Sequence, residues 1–122
     1  MEITLNNETY EVKFGARFIN SMDNKMFVTR EEMPNIKFGT ALEIMVPKLK
    51  SYDTNALIEL LYEGTRHLKK APKREDFFDF IDEHEDIDAL YDEVLEELKN
   101  GNATKKKVRA LLEELENVET VE

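Results

Sequence analysis

His84 is the residue at which a metal site is easiest to imagine, because five carboxylates flank it: Asp82, Glu83, Glu85, Asp86 and Asp88. A zinc-protease helix needs two histidines four residues apart with a glutamate between them, and the whole chain holds only two histidines, His67 and His84. A calcium loop needs a glycine at its sixth position, and no glycine lies between Gly64 and Gly101. We therefore interpret residues 82–88 as a solvated acidic turn between two helices.

Paired carboxylates can also act as general acid and general base, provided that one of them is desolvated in a cleft so that its pKa rises. The acidic residues here are spaced along the outer faces of predicted helices, where water keeps carboxylates ionised. The chain has no cysteine and only four glycines, and it contains no nucleophile-elbow, phosphate-loop or dinucleotide-binding motif. We expect no catalytic residue, no cofactor and no metal, and therefore not an enzyme.

Most of the acidity lies in residues 75–99, the acidic segment, which holds twelve acidic residues and one lysine and has a formal charge of −11. The whole chain carries −10, so the remainder is nearly balanced. This charge argues against nucleic-acid binding, which needs an excess of Lys and Arg on some face. The acidity leaves open that the chain is an acidic DNA mimic or another small protein-binding inhibitor. Mimicry, however, requires charge over most of the surface, and residues 1–50 are neutral.

Length and composition are typical of one globular domain, since the chain has 122 residues, 36% of them charged and 41% hydrophobic. No apolar run approaches the roughly 18 residues that a bilayer requires, and no signal peptide opens the chain. We expect a cytoplasmic protein without a membrane partner. We expect a single domain over residues 1–122, comprising a hairpin at 1–14, a helical body at 15–100 and a C-terminal helix at 102–119.

The N-terminus is predicted to be a β-hairpin, because apolar residues alternate with polar ones in two short runs: Ile3 and Leu5, then Tyr10, Val12 and Phe14. Asn6 and Asn7 lie between the runs, and asparagine tolerates the positive φ that tight hairpin turns require. A two-residue loop and a four-residue loop would bury the same face, so both remain open from sequence. An isolated hairpin is marginal in water, so its apolar face should lie on helices.

Apolar residues at helical spacing predict about six helices after the hairpin. The first has a stripe made of Phe14, Phe18, Ile19, Met22 and Met26. Residues 27–36 are predicted to be a connection, because Pro34 prevents much helix there. A second helix is expected from Phe38 to about Lys50, with Pro47 kinking it or ending its regular part. Asp53 is the predicted N-cap of a third.

The acidic segment is predicted to form two helices with an apolar inner face. It follows residues 66–74, the basic connection, and we interpret these two stretches as paired in charge within the chain. Seven side chains are expected to be buried together: Leu57, Leu61, Phe77, Ile81, Leu90, Val94 and Leu95. The predicted fold class is mainly α, with the N-terminal β-hairpin packed on a bundle of about six helices (α+β by strict count).

Gly101 is expected to end the long acidic helix, and the last helix is expected to follow it, with Asn102 as its N-cap. Its apolar residues are spaced as a heptad seam: Val108, Leu111, Leu115 and Val118, widened by Leu112. Cations open this helix and glutamates close it, which is unfavourable for the helix dipole, so the seam must pack against something.

Three partners for the seam are open from sequence. The first is the acidic helix of the same chain, with Lys105, Lys106 and Lys107 facing the carboxylates of residues 92–97. The others are the same helix in another copy and a client protein. We predict a partner that is at least partly intermolecular, and we take the five seam residues as candidate partner-binding residues. Truncation after Asn102 is then expected to leave the hairpin and core folded.

A resemblance to a known family rests on residues 80–102, which read FIDEHEDIDALYDEVLEELKNGN. Together with the opening MEITLNNETYEVKFG and the segment ALIELLYEGT, they resemble the tail assembly chaperones of siphophages and prophages of Gram-positive bacteria. The likeness spans essentially the whole chain and is compositional. The turn Asn6-Asn7 stands where relatives commonly have Asn-Gly, and the basic connection is more charged than usual.

The resemblance implies a non-enzymatic protein that coats the long, helical tape measure protein before tail tube subunits polymerise around it. It implies action in the cytoplasm of the bacterial host and absence from the mature virion. A longer product of a ribosomal frameshift would contact the tail tube protein. An apolar seam that needs a partner also suits a homo-oligomer.

Overall fold

Two asparagines form the turn of the N-terminal hairpin. In the computed structural model, which describes residues 1–121 and the side chains of residues 1–118, strand β1 (Glu2–Leu5) pairs antiparallel with strand β2 (Glu8–Glu11). Leu5 lies opposite Glu8, so the loop has two residues, Asn6 and Asn7, with φ of 49° and 67°. Positive φ at both positions is the backbone of a type I′ turn. Of the two loops left open by sequence, the two-residue loop is therefore the one formed.

Six helices lie within the described residues, in agreement with the predicted mainly helical fold: α1 (Ala16–Lys25), α2 (Ala41–Lys50), α3 (Thr54–Gly64), α4 (Arg74–Glu83), α5 (Ile87–Asn100) and α6 (Lys105–Val121). Asp53 caps α3 as predicted, since its Oδ1 accepts the N–H of Ala56 at 2.8 Å. Asp86 caps α5 in the same way through the N–H of Ala89, at 3.1 Å. The end of α5 before Gly101 was also predicted.

The hairpin docks on the C-terminal end of α3, and Gly64 permits the close approach. The N–H of Lys13 donates to the carbonyl oxygen of Gly64 at 2.8 Å. A Cβ atom at Gly64 would lie 2.6 Å from Cγ1 of Val12 and 3.0 Å from the ring of Phe14. The predicted packing of the apolar hairpin face on helices is confirmed, because four of its side chains are buried: Ile3, Leu5, Val12 and Phe14.

The prediction that residues 27–36 form a connection is wrong. Strand β3 (Phe27–Arg30) pairs antiparallel with strand β4 (Met33–Gly39), with a register shift between Val28 and Arg30. Most side chains of this second hairpin are exposed, so the sequence lacks the alternation of apolar and polar residues that identifies a half-buried strand. Pro34 does prevent a helix, but a strand takes its place.

The predicted start of α2 at Phe38 is wrong as well, because Phe38 and Gly39 complete β4 and α2 begins at Ala41. The cap of α2 comes from a neighbouring helix: Oδ1 of Asp23, in α1, accepts the N–H of Ala41 at 3.1 Å. The helix continues past Pro47 to Lys50.

The core lies between the first hairpin and the helices. Five of the seven side chains predicted to be buried together are buried: Leu57, Leu61, Phe77, Leu90 and Val94. The other two, Ile81 and Leu95, are half-buried and pack against the same cluster. Within the described part of the chain, no helix is long and apolar enough to cross a membrane.

Candidate partner-binding surfaces

The turn that leads into α6 is closed by Thr104. The prediction that Asn102 caps this helix is wrong, since α6 begins three residues later, at Lys105. The hydroxyl of the buried Thr104 donates to the carbonyl oxygen of Leu98 at 2.5 Å, which ties the turn to the last turn of α5. The chain thereby folds α6 back onto α5, and α6 also packs on α2.

The five seam residues change from buried to exposed along α6. Val108 is fully buried, and Leu111, Leu112 and Leu115 are half-buried against the core. Val118 is 62% exposed. The first part of the seam thus has its partner within the same chain, and the end of the seam is uncovered in the part of the chain described here. Binding of another protein at that end stays a prediction.

Within residues 1–118, no cation of α6 forms an ion pair with residues 92–97. Nζ of Lys107 lies 3.3 Å from the carboxylate of Glu43, on α2. Nε of Arg109 donates to the carbonyl oxygen of Lys99 at 3.0 Å, and its Nη2 donates to Oδ1 of Asn100 at 3.2 Å. Arg109 therefore satisfies acceptors at the C-terminal end of α5, where a cation is favourable for the helix dipole.

The basic connection is also paired differently from our interpretation. Nη1 of Arg74 lies 2.5 Å from Oε2 of Glu59, in α3, and this hydrogen bond raises the pKa of Arg74. Nε2 of His67 lies 3.2 Å from Oε1 of Glu11, in β2. Arg66 donates to oxygens of Tyr62, Thr65 and Pro72. Across residues 1–118, no side chain of the basic connection forms an ion pair with the acidic segment. The interpretation that these stretches pair in charge is wrong.

His84 lies in the turn between α4 and α5. Its Nδ1 accepts the N–H of Asp86 at 3.1 Å, and its ring contacts that of Phe80 edge-on, with centroids 5.4 Å apart. Among the side chains that the structure describes, no three histidine or acidic residues converge as metal ligands do. The contacts of His84 are those of a residue that shapes a turn.

The second hairpin is an apolar surface that sequence reasoning missed. Four of its large apolar side chains are exposed: Phe27, Val28, Met33 and Ile36. The guanidinium of Arg30 lies 4.7 Å from the ring centroid of Phe38, and Nζ of Lys37 lies 4.7 Å from that of Phe27, so cations cover part of the aromatic surface. The sequence signal that could have identified this hairpin is a pair of short apolar runs, one on either side of Glu31 and Glu32.

A family model described as phage tail assembly chaperone protein, TAC, matches residues 2–113 of the chain. The matched region runs from the first hairpin into α6, and it includes Leu111 and Leu112 but not Leu115 or Val118. No curated protein and no solved structure matches the chain.

Proposed function

Because the chain belongs to the phage tail assembly chaperone family, we propose that it binds the tape measure protein and promotes assembly of the tail tube around that protein. The role is non-catalytic and is exercised in the cytoplasm of the bacterial host, outside the mature virion. Several copies of the chain act together. A longer, frameshifted form makes the contact with the tail tube protein.

The observation that carries the proposal of client binding is the uncovered end of the seam on α6. Val118 is 62% exposed, and Leu115 before it is only half-buried. A narrow apolar stripe at helical spacing is the kind of surface that pairs with another amphipathic helix. The client that the family resemblance implies, the tape measure protein, is long and helical, so it would supply such a helix.

The charges of the chain support the same role. The outer faces of α4 and α5 carry most of the acidic segment, and its carboxylates are mostly exposed. Copies gathered on one client would present these like-charged faces to water and to one another, and repulsion between such faces opposes further aggregation. An apolar contact with the client and an anionic outer surface together suit a chaperone for an aggregation-prone helix.

The test is a pull-down with helical segments of a tape measure protein encoded beside this chain. Val118→Asp should lower client affinity at least tenfold, because binding would bury the new carboxylate. Since Val118 is exposed, circular dichroism should show an unchanged fold. Asn117→Asp is the matched control, because it places the same charge one residue away, off the seam. Equal binding by the two variants and the parent protein would place the client on another surface.

A further inference from the structure

The charge of α6 changes sign along the helix. All the cations of α6 lie in its first turn and a half: Lys105, Lys106, Lys107 and Arg109. Residues 110–122 contain five glutamates and neither lysine nor arginine. The uncovered end of the seam, at the half-buried Leu115 and the exposed Val118, therefore lies in the anionic part of the helix.

Glu114 lies beside this uncovered end. In the heptad register that places Leu115 at position a and Val118 at position d, Glu114 falls at position g and Glu119 at position e. Residues at e and g border an a/d seam, and their charges select the partner helix and its orientation. Glu114 is exposed and forms no ion pair within residues 1–118. Its charge is therefore free to act on a partner.

The helix dipole adds to the negative charge at this end. The C-terminal end of a helix carries a partial negative charge that a cation in the last turn compensates, and the last turn of α6 contains no cation. Two cations near the start of the helix are already bound within the chain, since Lys107 pairs with Glu43 and Arg109 donates to the carbonyl oxygen of Lys99. A cation at the uncovered end must therefore come from another molecule.

We propose that the partner of the uncovered end is a cationic amphipathic helix, with Lys or Arg on both sides of its apolar stripe. The stripe covers Leu115 and Val118, and the flanking cations lie against Glu114 and the C-terminal end of α6. The inference rests on the proposed function in that the client binds at this seam. It adds the chemistry by which the chain selects one segment of a client over another.

A second copy of α6 does not fit this site. Residues at g face those at e in a parallel pair of helices, and they face one another in an antiparallel pair. In both arrangements, two copies would bring glutamates together at the flanks of the seam, because Glu114 and Glu119 occupy these positions in each copy. Like charges at the flanks of two apolar stripes disfavour that pairing.

The experiment titrates the full chain with synthetic amphipathic helices. Three of these probes share a leucine seam and carry lysine, glutamine or glutamate at the flanking positions. A fourth probe copies residues 105–121 of this chain. A fifth probe has the composition of the lysine helix in scrambled order, so that it keeps the charge and loses the apolar stripe. It controls for general attraction of cations to a chain with a net charge of −10.

Calorimetry at low ionic strength should show the tightest binding for the lysine helix and at least tenfold weaker binding for the glutamate helix. The scrambled helix and the copy of α6 should bind no better than the glutamine helix. Salt at about 1 M screens charges beyond roughly 3 Å, so the lysine and glutamine helices should then bind equally.

Glu114→Lys should lower the affinity for the lysine helix about fivefold and raise that for the glutamate helix, because attraction is exchanged for repulsion at one flank. Glu113→Lys is the matched control, because it makes the same change of charge at position f, away from the seam. It should leave both affinities nearly unchanged. Both glutamates are exposed, so the fold should persist, and circular dichroism checks it.

Three results would overturn the inference: equal effects of the two substitutions, a scrambled helix that binds as tightly as the lysine helix, or tightest binding by the copy of α6. Tape measure segments are tested separately against the parent protein and Val118→Asp. Segments that bind through Val118 whatever charges flank their stripe would contradict only the inference. A lysine helix selected through Glu114, with no tape measure segment bound, would contradict only the proposed function.

Discussion

Substituting two leucines of α5 by alanine tests the placement of the core most directly. Leu90 is 3% exposed and Leu95 is half-buried, although the sequence predicted both to be buried. Leucine to alanine removes three carbon groups, worth about 0.8 kcal/mol each when fully buried, or about 2.4 kcal/mol. At Leu90 the remaining cavity adds to this, so we expect a loss of about 3–4 kcal/mol. At Leu95 solvent fills part of the space, and we expect about 1–2 kcal/mol.

The measurement is urea unfolding followed by far-ultraviolet circular dichroism, with free energies from linear extrapolation. Both residues lie inside the same helix and both change to alanine, so the difference in helix propensity is the same and cancels in the comparison. For a domain of this size, about 1 kcal/mol shifts the melting temperature by roughly 3–5 °C. Equal losses at the two positions, or a larger loss at Leu95, would refute the orientation of α5 described above.

Two further predictions concern the C-terminal helix and the acidic turn. Truncation after Asn102 should strongly destabilise the fold, contrary to the expectation from sequence, because it removes the fully buried Val108 and the hydrogen bond from Thr104 to Leu98; a truncated protein with the parent melting temperature would contradict this. Chelation by EDTA, or addition of calcium or zinc, should cause no saturable shift in melting temperature, and a stoichiometric binding isotherm lost on His84→Ala would contradict that.

The first hairpin and most helices could be predicted because their residues obey a strong local pattern. Strand β1 alternates exposed and buried side chains, and in β2 only Tyr10 is partly buried, on either side of a turn whose two asparagines adopt positive φ. Helix α3 has a local N-cap, Asp53, and an apolar face that packs on several neighbours. In such elements, propensity, capping and burial favour the same structure, so one sequence is sufficient evidence.

The second hairpin could not be predicted on these grounds, because little of it is buried. Its strands pair with each other, and cations lie over its aromatic rings, such as Arg30 over Phe38; neither feature leaves a periodic signal in the sequence. The start of α2 was missed for a related reason. Its cap is Asp23, from another helix, so the signal is not adjacent in sequence.

The seam on α6 was predicted by its spacing, but its partner was not. Periodicity shows which side chains share a face of a helix and says nothing of what covers that face. The turn at Thr104 determines what covers this face, because it directs the first part of α6 onto α5 and α2. Val108 thereby belongs to the core, whereas Val118, at the other end of the seam, is exposed.

The partners of the two charged stretches could not be predicted from their positions in the sequence either. The basic connection and the acidic segment are adjacent in sequence, yet Arg74 pairs with Glu59, in α3, and His67 lies 3.2 Å from Glu11, in β2. An exposed ion pair adds only about 0–1 kcal/mol to stability, so folding gains little from joining the two stretches. Packing thus decides where these side chains lie, and charges that are adjacent in sequence need not be paired in the folded chain.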